Sequence, residues 1–220
     1  MGEFCKTESK AMLKFSRKRF LPTLVTALRK KRFSVCLATG AHNTDIHTYF
    51  SSRSFDEVKV VVEPRPLGTG GAIRNCADRI DSDTFLVMNG DTLLFGFDPT
   101  AAVTQHLINH AEATTICTKY FSNQNRSELL IRDGMVIHKF PQPSEGTYGN
   151  ACCTGAYVFN KEFVQGEFPL GVSSLESEIL PRIIKEGKSF AHTIATPVID
   201  FGTPETYRDL SKATLKNLIV

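Results

Sequence analysis

The spacing of apolar residues changes period repeatedly along this chain, and each change marks an element. Leu21, Leu24, Val25 and Leu28 recur at helical spacing, with Arg29 to Arg32 as cations on the last turn, so a helix is expected over 20–32. Residues 34–39 are a β-branched apolar run and read as a strand. Gly40 to Asn43 is a loop, and Thr44 is placed to cap a short helix ending near Phe50. Residues 58–62 are almost wholly apolar, the pattern of a strand buried on both faces, and 84–88 repeat it. A helix is expected over 70–77 between them, and another over 99–112 with proline in its first turn.

After residue 113 the texture changes. A β-type run occupies 114–120, and 129–132 with 135–139 flank Asp133-Gly134 as a hairpin with a two-residue turn. Short strands are expected at 156–159 and 190–194. Helices are expected at 174–185, with Ser174 and Ser177 as caps, and at 204–217. Alternating β and α followed by inserted hairpins predicts an α/β protein with a mixed, Rossmann-like sheet flanked by helices. The expected organisation is one domain over 1–220, comprising an irregular basic stretch at 1–19 and halves at 20–112 and 113–220.

The stretch 58–91 organises this pattern. Strand, Pro/Gly-rich loop, helix and strand form a βαβ unit ending in Asn89-Gly90-Asp91. Glycines between strand and helix let backbone approach a ligand, and a carboxylate after the second strand stands where open α/β sheets bind ligands. Gly68-Thr69-Gly70-Gly71 begins like a dinucleotide fingerprint, but Ile73 occupies its third glycine position. The Lys-Ser/Thr ending of a Walker loop is absent too. What remains is an anion or base site at a helix start, or a plain tight turn.

Composition narrows the class further. The 220 residues are 41% hydrophobic, enough for one large domain, and a net charge of +3 favours no partner by itself. No apolar run has the length of a membrane span, and the first twenty residues lack the apolar centre of a secretory signal. Six cysteines without a dense pattern fit reduced thiols in a cytoplasmic protein, and with no CxxC pair structural zinc is not expected. Lys6, Lys10, Lys14, Arg17, Lys18 and Arg19 form a basic arm, read first as solvated and only second as a nucleic-acid patch. No nucleic-acid partner is therefore expected.

Other candidates are read against plainer alternatives. Asp91 can ligate magnesium or cap a turn, and Asp200, after Pro197-Val198-Ile199, could share that metal. His106 and His110 share a face of the expected helix, without the glutamate of a zinc protease. Cys152 or Cys153 could act as nucleophile, but no partner histidine can be assigned.

Taken in order, these segments resemble the sugar-1-phosphate nucleotidyltransferases. Glu63-Pro64-Arg65-Pro66-Leu67-Gly68-Thr69-Gly70-Gly71-Ala72 is similar to that family's nucleobase loop, and Asn89-Gly90-Asp91 to its metal-binding strand end. Cys153-Thr154-Gly155-Ala156-Tyr157-Val158-Phe159 resembles its sugar-side strand. Ser174-Leu175-Glu176, with Leu180-Pro181, resembles its late helix, and the segment from Asp200 to Tyr207 its second metal aspartate. The Gly-Thr-Gly-Gly-Ala form is most similar to the heptose- and mannose-1-phosphate guanylyltransferase branch.

The resemblance implies transfer of a nucleoside monophosphate from a triphosphate, with GTP the expected donor, to a sugar 1-phosphate, releasing pyrophosphate. It implies Lys10 and Asp91 as catalytic residues and Mg2+ on Asp91 and Asp200. Glu63, Leu67, Gly68, Thr69 and Gly70 would hold the nucleotide, and Gln142, Cys153, Thr154 and Gly155 the sugar. Lys10 matches a phosphate-contacting lysine whose flanking prolines are here Ser9 and Ala11. Ser127-Glu128 after Arg126 replaces a Tyr-Gly, and Gln142-Pro143 replaces a Glu-Lys pair. The family opens with a buried strand and a Gly-Gly-x-Gly-Thr-Arg phosphate loop. Neither precedes Lys10, so an N-terminally incomplete chain is expected, whose unpaired central strand edge would invite a second copy to associate. The alternative is a non-catalytic relative that binds a nucleotide or a partner.

Overall fold

A computed structural model describes residues 8–15, 17–51, 55–120, 127–140, 149–201, 203 and 207. Within it the chain forms two compact units. The first contains 1–66, 90–96 and 199–220, and the second 67–89 and 97–198.

The first unit begins with a 3-10 turn, Lys10–Met12, and a small hairpin, β1 (Lys14–Phe15) and β2 (Lys18–Arg19). This corrects the expectation of a solvated arm. Met12 and Phe15 are each 1% exposed: Met12 packs with Leu21, Val25 and Ile46, and Phe15 packs edge-on against Phe20, Phe201 and Tyr207. The expected residues 1–7 of that arm lie outside the described residues. Helix α1 (Phe20–Lys30) buries Leu21, Leu24 and Val25 as its spacing required. β3 (Cys36–Gly40) and β4 (Lys59–Glu63) pair in parallel, with α2 (Thr44–Phe50) between them. Thr44 is the first helical residue rather than the cap, which falls to Asn43. A third piece joins β6 (Thr92–Leu94) to β12 (Val198–Asp200).

The second unit is built on a six-stranded mixed sheet. It contains β5 (Thr84–Met88), β7 (Ala113–Thr118), β8 (Glu128–Arg132), β9 (Met135–Phe140), β10 (Ala151–Asn160) and β11 (Ser189–Ile194). Their order is β5-β10-β7-β11-β9-β8, with β8 also touching β10; only the β7–β11 ladder is parallel. Helices α3 (Gly68–Ala77), α4 (Pro99–Ile108), α5 (Lys161–Glu167) and α6 (Leu180–Lys185) complete it. Its core gathers Ile73, Ala113, Tyr157, Phe159, Phe163, Phe168, Leu175 and Ile183.

Several expectations change here. The stretch 58–91 does not close as a βαβ unit in one ladder: β4 pairs with β3, whereas β5 pairs antiparallel with β10. Neither strand is buried on both faces; Val62 is 45% exposed, and β5 is an edge strand with one ladder partner among the described residues. The strand expected at 156–159 extends back to Ala151, past a register shift between Cys153 and Ala156 that disguises its alternation. The helix expected at 174–185 opens as a π-turn over Leu175–Ile179 before α6. Ile179 N donates to Ser174 O in the wider ring of that turn, and Pro181, which has no N–H, stands in the first turn of α6. Ser174 caps as expected, its Oγ accepting from Ser177 N at 3.2 Å. α4 stops at Ile108, and His110 takes a positive φ of 48°, so His106 and His110 share no helical face. The helix expected at 204–217 lies outside the described residues, apart from Tyr207.

Candidate active site

In the first unit three expected residues meet. β12 delivers Asp200 beside Asp91, which leads into β6, because the two strands pair. Lys10 Nζ donates to Asp91 Oδ2 at 2.6 Å and lies 3.5 Å from Asp200 Oδ1. The same ammonium stands 5.8 Å from the centre of the Phe201 ring. Phe201 is fully buried between Phe15 and Phe20, so the aromatic floor under the cluster is rigid. Both carboxylates remain partly open to solvent, at 32% and 41% exposure, and are accessible to a ligand.

Lys10 is held by a contact that local sequence did not reveal. Asp45, in the first turn of α2, accepts the Ser9 amide at 2.7 Å and the Ser9 hydroxyl at 2.5 Å. Burial pushes the Asp45 carboxyl up, but the Ser9 hydroxyl and amide, with the Ile46 amide, outweigh it and hold it below the usual range. Thr44-Asp45 reads in sequence only as a helix start, and nothing near Ser9 announces its distant partner.

Two carboxylates within reach of one ammonium form a hard-oxygen donor pair, which fits magnesium completed by water and phosphate oxygens. Among the described residues no cluster of three or more His, Cys, Asp or Glu forms a fuller metal cage. Asp91 and Asp200 would hold the ion.

In the second unit the loop at 67–71 opens α3 against the segment 171–176. Gly70 N and Gly71 N donate to Ser173 O at 2.9 and 3.3 Å, and Ser173 N donates to Leu67 O at 2.9 Å. Two amides of the helix start where an anion or base site is expected, those of Gly70 and Gly71, are therefore already used by Ser173 O. Gly68 and Thr69 stay exposed. Gly68 adopts φ +70°, and a Cβ at Gly71 would lie 2.1 Å from Gly171 O, so both positions require glycine. The Thr69 hydroxyl donates to Glu176 Oε2 at 2.6 Å and accepts from Leu175 N at 2.9 Å. This long-range clamp fixes the loop, and nothing in the local sequence around Thr69 announces it. Glu63 ends β4 in the first unit.

The sugar-side strand also lies in the second unit. Thr154 is fully buried, its hydroxyl donating to Ile116 O and accepting from Ala156 N. Cys153 is 8% exposed, with Sγ 3.2 Å from the Tyr157 hydroxyl. Gly155, at φ +78°, faces Asn89, whose amide donates to Gly155 O at 3.1 Å. Gln142 lies outside the described residues. Burial raises the neighbouring Cys117 thiol to about 11, which leaves it a poor nucleophile at neutral pH. His106 is a core residue, 1% exposed, with Nδ1 2.9 Å from Thr114 Oγ1 and Nε2 3.0 Å from Asn160 Oδ1.

The fold is mixed α/β, with paired strand-end aspartates in the first unit and a glycine loop at a helix start in the second, features that suit a protein handling phosphorylated ligands. The chain belongs to the nucleotidyl transferase family, whose model matches residues 4–217. It is 28% identical over 205 residues to the D-glycero-alpha-D-manno-heptose 1-phosphate guanylyltransferase of Aneurinibacillus thermoaerophilus, covering 92% of this chain and 88% of that one. It is 26% identical over 204 residues to the mannose-1-phosphate guanylyltransferase of Mycobacterium tuberculosis, covering 86% of this chain and 56% of the relative. The chain thus spans little more than half of the mannose-type relative. The crystal structure of HddC from Yersinia pseudotuberculosis complexed with GMP-PN superposes with a TM-score of 0.78 at 25% identity, covering 92% of this chain and 88% of that one.

Proposed function

We propose that this protein transfers GMP from GTP to a heptose- or mannose-type sugar 1-phosphate, giving a nucleotide sugar and pyrophosphate. The observation that carries the reading is the meeting of Asp91 and Asp200, far apart in sequence, on one cation in the first unit. GTP and the sugar class are supported by the relatives' names.

An oxygen of the sugar phosphate attacks the α-phosphorus of GTP in line, and the bond to the β-phosphate oxygen breaks with that electron pair. The protein's part is positioning and charge neutralisation. Gly68 and Thr69 present exposed backbone to the base, Glu63 and Leu67 are further residues proposed for the nucleotide, and Gly70, buried with its amide spent on Ser173 O, shapes the loop. Asp91 and Asp200 hold Mg2+, which supplies compensation for the crowded negative charge. Lys10 contributes its ammonium to the phosphates. Gly155 supplies backbone on the sugar side, with Cys153 and Thr154 beside it on β10, and Gln142 is the further residue proposed for the sugar. No helix among the described residues is long and apolar enough to cross a membrane, and a cytoplasmic site of action suits nucleotide substrates.

Purified protein with magnesium, GTP and heptose 1-phosphate or mannose 1-phosphate should release pyrophosphate and form the corresponding GDP-sugar. Silence with both sugars, and with the other nucleoside triphosphates, would overturn the proposal.

A further inference from the structure

Lys10 occupies the diaspartate centre of the first unit. Its ammonium does not point to open solvent. It sits on the two carboxylates proposed to hold a divalent ion, at 2.6 Å from Asp91 Oδ2 and 3.5 Å from Asp200 Oδ1.

We infer that Lys10 is a built-in counter-cation that occupies the diaspartate centre before metal arrives and must be displaced for metal to bind. The inference rests on the proposed function for its metal but concerns only this chain's own side chains. Two carboxylates brought together repel, and a cation between them offsets that cost. The lone pair of Asp91 Oδ2 that accepts the Lys10 proton cannot at the same time be given to magnesium, and two cations in the same space repel each other. Metal entry therefore breaks an ion pair.

The surroundings allow that exchange. Ser9 and Asp45 hold the backbone on one side of Lys10, and the buried Met12 anchors the other. Displacement needs only rotation about the side-chain bonds of Lys10. The side chain is 28% exposed, so an outward path exists. Once released, the ammonium is free to meet the phosphates that accompany the metal. Lys10 thus couples metal binding to phosphate binding: metal without a nucleotide loses the ion pair and gains little, whereas metal with a nucleotide gives the lysine a new anionic partner.

The test is Mn2+ binding without nucleotide, read from the electron paramagnetic resonance signal of free Mn2+. Lys10→Met keeps the length and packing of the side chain and should bind Mn2+ about tenfold tighter or more than the wild type. Lys10→Arg keeps the cation and should match the wild type. Lys10→Met combined with Asp200→Asn should lose the gain. Equal or weaker binding by Lys10→Met, or no saturable binding by any variant, overturns the inference.

A second measurement covers the case in which Lys10→Met does not fold. The side-chain ammonium resonance of Lys10 in the wild type, assigned by its absence from Lys10→Arg, should shift on titration with Mg2+; an unmoved resonance at saturating Mg2+ overturns the inference. Neither readout involves turnover, so a silent pyrophosphate assay would sink the proposed function and leave this result standing.

Discussion

Asp45 grips Ser9 twice, accepting its amide at 2.7 Å and its hydroxyl at 2.5 Å. The pair lies one residue before Lys10, so a helix-start carboxylate sets where the lysine can reach.

Removing that grip should loosen the lysine. Asp45→Ala is expected to lower stability by about 1–2 kcal/mol and reduce pyrophosphate release more than Ser9→Ala, which keeps the amide bond. Asp45 also adds an acid-sensitive contribution. Its carboxyl is held below its ordinary value when folded, so its stabilisation is present above the unfolded pKa of about 3.9 and lost as pH falls through the lower folded value. Chemical denaturation between pH 6 and 3 should show the wild type losing more stability than Asp45→Asn.

Asp91→Asn and Asp200→Asn should each lower kcat by about a hundredfold with circular dichroism unchanged, since each removes charge compensation and not a core contact. EDTA should abolish pyrophosphate release by the wild type, and added magnesium should restore it. Activity that survives either substitution would remove that aspartate from the metal role.

Two glycines make opposite predictions. Gly71→Ala would press a Cβ to 2.1 Å from the backbone oxygen of Gly171, where neither side can easily yield, and should cost about 1–3 kcal/mol. Gly166, on α5, has nothing within 4 Å of such a Cβ, and Gly166→Ala should be neutral or stabilising by up to about 1 kcal/mol. Thermal melts of the two variants decide the matter, and equal melting temperatures would refute the clamp on the 67–71 loop.

His106 predicts a second pH effect. Burial lowers its pKa, partly opposed by the hydrogen bond to Asn160. A histidine lowered on folding stabilises the protein above its unfolded pKa of about 6.5, and that stability fades as pH falls through the folded value. Between pH 8 and 5 the wild type should lose more melting temperature than His106→Gln. Parallel losses would show that the ring does not titrate against folding.

Local pattern alone determined a good deal. Helix α1, strands β3, β4 and β5, the β8–β9 hairpin and the Ser174 cap follow from apolar spacing and turn chemistry, which act over a few residues. The ordered motifs around Gly68, Asp91 and Asp200 were likewise sufficient to suggest the family to which the chain belongs. Tertiary structure decided the rest. Which strands share a ladder, why 8–15 is anchored rather than solvated, and where the amides of α3 are spent depend on partners distant in sequence. Lys10 on Asp91 and Asp200, Thr69 on Glu176, and Ser9 on Asp45 are such pairs. Periodicity records which face of an element is buried, but not what it is buried against.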